Sequence, residues 1–319
     1  MQSSLSARIA SPGRPAPQGN TISLWPADDS IRVGLTLNGQ FSWLTLDTGA
    51  PMSYIDRTYA QWIWSPDPSQ PLLSGSKPVL LTGRPAYFIT GRSIGFYNTD
   101  VTLQDVIFLS GDSPTFAPRP HVTNGIGLLG TNVLGRLAIL LDAPGGAGRI
   151  FTSRLTDQEV AALGFSNKHA APLRRDSLGH YLTDVVVDGK SYTLTLDTGS
   201  RITVLDDVPA PPGPAPDLET VRTLYGNAAV MPAAAHALEL GGWELRSPEV
   251  YHLASGPTGA QSFADRLGFN TLMRFKHVLI DFPNEKVYFG APVNSSQASS
   301  TADSENEAPH EPDVDSPKK

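Results

Sequence analysis

Two Asp-Thr-Gly triplets, Asp47-Thr48-Gly49 and Asp197-Thr198-Gly199, stand 150 residues apart in a chain of 319. A single carboxylate is a poor hydrolytic catalyst, but two of them make a different device. Held about 3 Å apart, two like charges cannot both ionise, so the pair shares one proton. The ionised member can then take a proton from water while the neutral member donates to a carbonyl oxygen. That chemistry needs no metal, no cofactor and no covalent nucleophile. The chain has no cysteine, which excludes a thiol nucleophile, a zinc ribbon and a disulfide framework. Each triplet supplies one carboxyl, so the site is expected where two separate segments meet.

The segments leading into the triplets repeat. IRVGLTLNGQFSWLTLDTGA ends at Ala50 and YLTDVVVDGKSYTLTLDTGS ends at Ser200, and they align without a gap. Asn38-Gly39 and Asp188-Gly189 each sit between two alternating apolar runs, which predicts two β-hairpins whose second strands run into the triplets. Gly49 and Gly199 are expected to allow the tight turn that brings backbone amides to the carboxylates. The Thr48 and Thr198 hydroxyls are placed to cross-link the two loops. After the triplets the copies differ, Ala50 against Ser200. A Ser200 hydroxyl bonded to Asp197 would favour its ionised form and leave the shared proton on Asp47. Activity at a less acidic pH would follow.

The ends of the two halves repeat as well. LLGTNVLGRLAILLDAP (128–144) parallels RLGFNTLMRFKHVLIDFP (266–283): a glycine after an apolar pair, a short helix, then a buried strand. Asp142 and Asp281 close those strands before prolines and are read as turn residues. Between the halves LTDQEVAALGF (155–165) predicts a short helix, with Thr156 and Glu159 at capping-box spacing and Gly164 near its stop. The expected organisation is an N-terminal segment 1–21, a first lobe 22–152, a connector 153–180, a second lobe 181–291 and an acidic tail 292–319. Residues 1–20 and 292–319 have the composition of unordered chain, and VPAPPGPAPD (208–217) that of a stiff surface loop.

The two triplets, the strands before them and the later segments around Leu128-Leu129-Gly130 and Leu267-Gly268 together resemble the pepsin-like and retropepsin-like aspartic proteases. The resemblance spans roughly residues 22–291 and corresponds to a fused, one-chain form. It implies an all-β, bilobal fold of two duplicated β-barrel-like lobes with the active site between them. It implies Asp47 and Asp197 as catalysts, supported by Thr48, Gly49, Thr198, Gly199 and Ser200, in an endopeptidase acting on extended peptide or protein substrates. Such enzymes close a β-hairpin flap over substrate. The candidates are 79–91, with its tip near Gly83 and Tyr87 on the returning strand, and 223–232 around Gly226. The chain departs from the family in being short, in lacking a basic prosegment, and in carrying Ala50 where pepsin-like enzymes usually have serine. The alternative from a different class is a catalytically inactive module of the same fold that binds peptides or a protein partner.

Composition narrows the remaining classes. Apolar residues make up 40% and charged residues 17%, a globular profile, and 29 glycines with 28 prolines argue against a helical bundle. The net charge is −7, and the tail 293–319 holds six acids and two lysines, so no basic nucleic-acid footprint exists. No run of about 18 apolar residues predicts a membrane span. No signal-peptide core is present, so the cytoplasm is expected, or the periplasm or exterior if a signal was removed. Duplication within one chain leads to the expectation of a monomer.

Two further motifs are decoys. Gly91-Arg92-Ser93-Ile94-Gly95 fits a nucleophile elbow, but a β-type pattern follows where a helix is needed. Gly125-Ile126-Gly127-Leu128-Leu129-Gly130 fits a dinucleotide loop, but no strand precedes it and no acid follows about 20 residues on. The seven histidines are scattered without metal-ligand spacing. No cofactor is implied. Trp62 and Trp64 are read as packing residues before pocket residues.

Overall fold

The computed structural model describes residues 17, 19–27, 30–65, 77–81, 84–112, 126–142, 147–209, 218–223, 226–255 and 265–293. Of the segments read as unordered, 1–20 and 292–319, residues 1–16, 18 and 294–319 lie outside the described residues, as do 210–217 of the proline-rich loop and Gly83, while Asn20 begins a strand.

Both predicted hairpins form. Ser30–Leu37 pairs with Gln40–Leu46, closing at Leu37 opposite Gln40, and Tyr181–Val187 pairs with Lys190–Asp197, closing at Val187 opposite Lys190. Asn38 and Gly39 have φ of 48° and 80°, and Asp188 and Gly189 have 48° and 82°. Positive φ at both central residues is what a two-residue turn of matching twist demands, and Asn-Gly or Asp-Gly tolerates it best. Alternate residues Val33, Leu35, Leu37, Leu44 and Leu46 are buried, as are Val185, Val187, Leu194 and Leu196.

Each triplet lies in the turn between two strands that share one neighbour. Gln40–Leu46 runs parallel to Gly127–Leu129, and Ser53–Asp56, which follows the first triplet, runs antiparallel to the same strand. In the second half Lys190–Asp197 is parallel to Arg266–Gly268, and Thr203–Leu205 is antiparallel to it. The outer neighbours also match: Ser53–Asp56 is parallel to Thr102–Gly111, and Thr203–Leu205 is parallel to Val250–Ser255.

The described strands form two large sheets of thirteen and ten strands, joined by a few short helices, so the described chain is mostly β. The thirteen-stranded sheet contains strands from both halves. Ala138–Asp142 pairs with His277–Asp281, setting Leu140 opposite Leu279, and Lys286–Phe289 and Ala147–Phe151 extend it on either side. Asn20–Ala27 and Ala170–Pro172 add the next strands outward. Both faces of this region are covered. Ile139, Leu141, Val278 and Ile280 join the main core, while Ala138, Leu140 and Leu279 pack with Phe151, Leu155, Val160 and Tyr288. Burial on both faces explains why AILL (138–141) and VLI (278–280) are continuous apolar runs rather than alternating ones.

The helix Asp157–Ala162 carries the predicted capping box, Thr156 and Glu159 bonding each other's backbone amides, and Gly164 follows at φ 88°. Asp281 caps the short turn Phe282–Asn284 as a buried acceptor from Asn284, and burial raises its pKa. Gly91 to Gly95 lie inside the strand Arg84–Phe96, at an irregularity where Gly91 has φ 65°, so no strand–turn–helix elbow exists there. No helix among the described residues is long and apolar enough to cross a membrane.

Candidate active site

The two triplets meet and bond reciprocally. The Thr48 amide donates to Thr198 Oγ1 at 3.1 Å, and the Thr198 amide donates to Thr48 Oγ1 at 3.0 Å. Each hydroxyl in turn donates to a carbonyl of the opposite strand, Thr48 to Leu196 at 2.7 Å and Thr198 to Leu46 at 2.6 Å. Both threonines are fully buried, where an unmade bond would cost about 1–3 kcal/mol per group. The register of one loop on the other is therefore set by four bonds related by a pseudo-twofold.

That register crosses the carboxyls over. A Cβ built on Gly49 would lie 2.3 Å from the Asp197 carboxyl carbon, and one on Gly199 would lie 2.4 Å from that of Asp47. Neither glycine has a positive φ, so the turn itself does not demand glycine here. The requirement is steric: the partner's carboxyl occupies the space of a side chain. The amides still point inward as expected, Gly49 to Asp47 Oδ1 at 2.9 Å and Gly199 to Asp197 Oδ1 at 3.0 Å.

A second pair of braces, unforeseen in the sequence, holds the loops from behind. In the first half Gly130 donates its amide to Ser53 Oγ, and Ser53 Oγ donates to Asn132 Oδ1. In the second half Gly268 donates to Thr203 Oγ1, and Thr203 donates to Asn270 Oδ1. The amides of Thr131 and Asn132 bond the carbonyls of Ala50 and Pro51, and those of Phe269 and Asn270 bond Ser200 and Arg201. The glycine-plus-helix segments repeat in the sequence because they clamp the chain just past each triplet.

The two halves differ at one decisive place. Arg266 extends from its strand so that Nη1 donates to Asp197 Oδ2 at 2.5 Å, with the two side chains only 14% and 5% exposed. Its register partner is Thr195, whereas in the first half Leu128 stands opposite Thr45. Leu128 instead packs with Tyr54, Ala86 and Leu109. The repeat alignment contains this signal, a cation where the first copy has leucine, but in one dimension nothing says that the side chain reaches Asp197.

Ser200 does not act as expected. Its hydroxyl donates to the Ile202 carbonyl at 2.9 Å, and only its amide reaches the Asp197 carboxylate, at 3.1 Å. The asymmetry expected from Ser200 against Ala50 is therefore carried by a backbone amide and by Arg266. Asp197 is buried, while Asp47 is partly accessible. The Asp47 carboxyl is pushed well above the usual carboxylate range, first by burial and then by the charge of Asp197, against an opposing pull from Arg266.

The flap candidates are hairpins. Val79–Leu81 pairs with Arg84–Phe96, closing at Leu81 opposite Arg84, and Glu219–Thr223 pairs with Gly226–Pro232, closing at Thr223 opposite Gly226. Gly83 lies outside the described residues, and Gly226 begins its returning strand. Tyr87 is half-buried opposite Ser110 and does not enter the hydrogen-bond network of the triplets. Trp64 is buried against Phe108 with ring centroids 5.2 Å apart, and Trp62 is 58% exposed on the same helix. No protein-family model matches the chain, and no curated protein matches it at a significant level.

Proposed function

We propose that the chain is an aspartic endopeptidase of two-lobed, single-chain type, in which Asp47 and Asp197 act as one acid–base pair. The observation that carries this reading is the reciprocal Thr48–Thr198 bonding that sets each carboxyl against the other loop's glycine. A binding module has no use for two abutting carboxyls, whose mutual repulsion opposes folding. Asp47, with its raised pKa, is the member that holds the proton and donates it to the scissile carbonyl oxygen. Asp197 takes the proton from the attacking water. The tetrahedral diol then collapses: Asp197 gives its proton to the leaving amine as the C–N bond breaks, and Asp47 takes back the proton of the hydroxyl that becomes the new carbonyl, which restores the pair. The two hairpins supply edges on which an extended peptide adds as a strand.

The direct experiment is digestion of an unfolded protein substrate between pH 3 and 7, with Asp47→Asn and Asp197→Asn alongside and a statine-type inhibitor as control. Cleavage abolished by either substitution and by the inhibitor is the expected result. A folded protein that cleaves nothing across that range refutes the reading in favour of an inactive peptide-binding module.

A further inference from the structure

We propose that Arg266 is a positioning residue that fixes the polarity of the pair: its guanidinium holds Asp197 as the ionised base and leaves the shared proton on Asp47. The assignment of base and acid rests on the endopeptidase reading; the charge pairing does not. Three observations support it, and one opposes it. Arg266 Nη1 meets Asp197 Oδ2 at 2.5 Å, a charge-assisted bond. Asp197 Oδ1 is taken by the Gly199 and Ser200 amides, so both of its oxygens have donors that favour the carboxylate. Finally, the Ser200 hydroxyl turns away to Ile202, so no side-chain hydroxyl does this work. Against the assignment, the Gly49 amide donates to Asp47 Oδ1 and favours that carboxylate as well, one donor against the three on Asp197.

Among the described residues, two charged groups close in the chain have partners outside the pair. Asp265, adjacent in the chain, accepts from the Asp206 amide, and Arg201, just past the triplet, pairs with Glu219. The charges that bear on Asp47 are those of Asp197 and Arg266, which oppose each other. With Asp47 protonated, the three side chains sum to zero charge, the arrangement a poorly solvated site tolerates best. Two effects on pH dependence follow. The Arg266 charge favours the ionised form within the pair, which extends the singly protonated state downward. Burial and the Asp197 charge resist ionisation of Asp47, which extends it upward.

The experiment follows the carboxyl carbons of the full chain, labelled at aspartate Cγ, by NMR from pH 2 to 8. Asp47→Asn and Asp197→Asn assign the two signals, and the titration is repeated in Arg266→Leu, Arg266→Gln and Arg266→Lys. Leucine is the residue the first half carries at this register, and glutamine keeps the length without the charge. The expected result is that the pair's first protonation moves up by about one to three pH units in the leucine and glutamine variants. Lysine should restore part of the difference. The acidic limb of kcat/KM on a peptide substrate should move by the same amount. Titration curves in Arg266→Leu and Arg266→Gln that overlay the wild type overturn the inference, whatever the activity. Wild-type protein with the expected titration but no cleavage overturns the endopeptidase reading and leaves the charge pairing standing.

Discussion

Asp47, Asp197 and Arg266 form a charge cluster that is neutral only while one carboxyl is protonated, and stability as well as activity must reflect that. The folded pKa of Asp47 lies above its ordinary value of 3.8. The folded chain therefore binds this proton more tightly than the unfolded chain. Its contribution is fully present below about pH 3.8 and is lost as pH rises through the folded value. Asp47→Asn removes that loss. Its melting temperature should exceed wild type at pH 7, with the advantage shrinking toward pH 3, and thermal melts at several pH values check it. An advantage that grows toward acid would contradict the sign. Gly49→Ala should act in the other way, because its methyl would overlap the Asp197 carboxyl. On the proposed endopeptidase reading, cleavage is expected to fall at least about a hundredfold, since misplacement near 1 Å has that cost. Activity within threefold of wild type would show that the two loops do not pack as described.

The elements matter because each triplet is a turn held by neighbours rather than a self-contained loop. Ser53 and Thr203 start the strands after the triplets, and their hydroxyls take the amides of Gly130 and Gly268. Thr203 is fully buried. Thr203→Val keeps the shape and leaves the Gly268 amide unpaired, at a cost of about 1–3 kcal/mol. Urea denaturation should show that loss, with Thr203→Ser nearly neutral, and the valine variant should also lose activity. The Thr156 cap offers the contrast. Thr156→Ala should cost about 1 kcal/mol and leave kcat/KM unchanged, because its helix sits on the far face of the shared sheet.

At the scale of the whole molecule, the two halves of the duplication share a sheet as well as a site. Leu140 lies opposite Leu279 and Ile139 opposite Ile280, in strands buried on both faces. Neither half can keep that pairing alone, and each would expose an apolar edge. Scanning calorimetry should therefore show one cooperative transition for the full chain. Two resolved transitions would mean that the halves fold independently and that the threonine bonds couple them only weakly.

Much of this was legible in the sequence because it is local. The Asn-Gly and Asp-Gly turns, the alternation before each triplet and the Thr156–Glu159 cap depend on neighbours in the chain, and each formed where its residue types require. The repeat also carried topology, since duplicated patterns fold into duplicated hairpins. Three-dimensional packing decided what local pattern does not encode. It decided that Gly49 and Gly199 are small because the opposite carboxyl lies against them. It turned the Ser200 hydroxyl onto the Ile202 carbonyl. And it brought Arg266, 69 residues away in the chain, onto Asp197. A parallel strand pairing set that register, and the energy of a buried ion pair depends on a distance that no spacing in the sequence specifies.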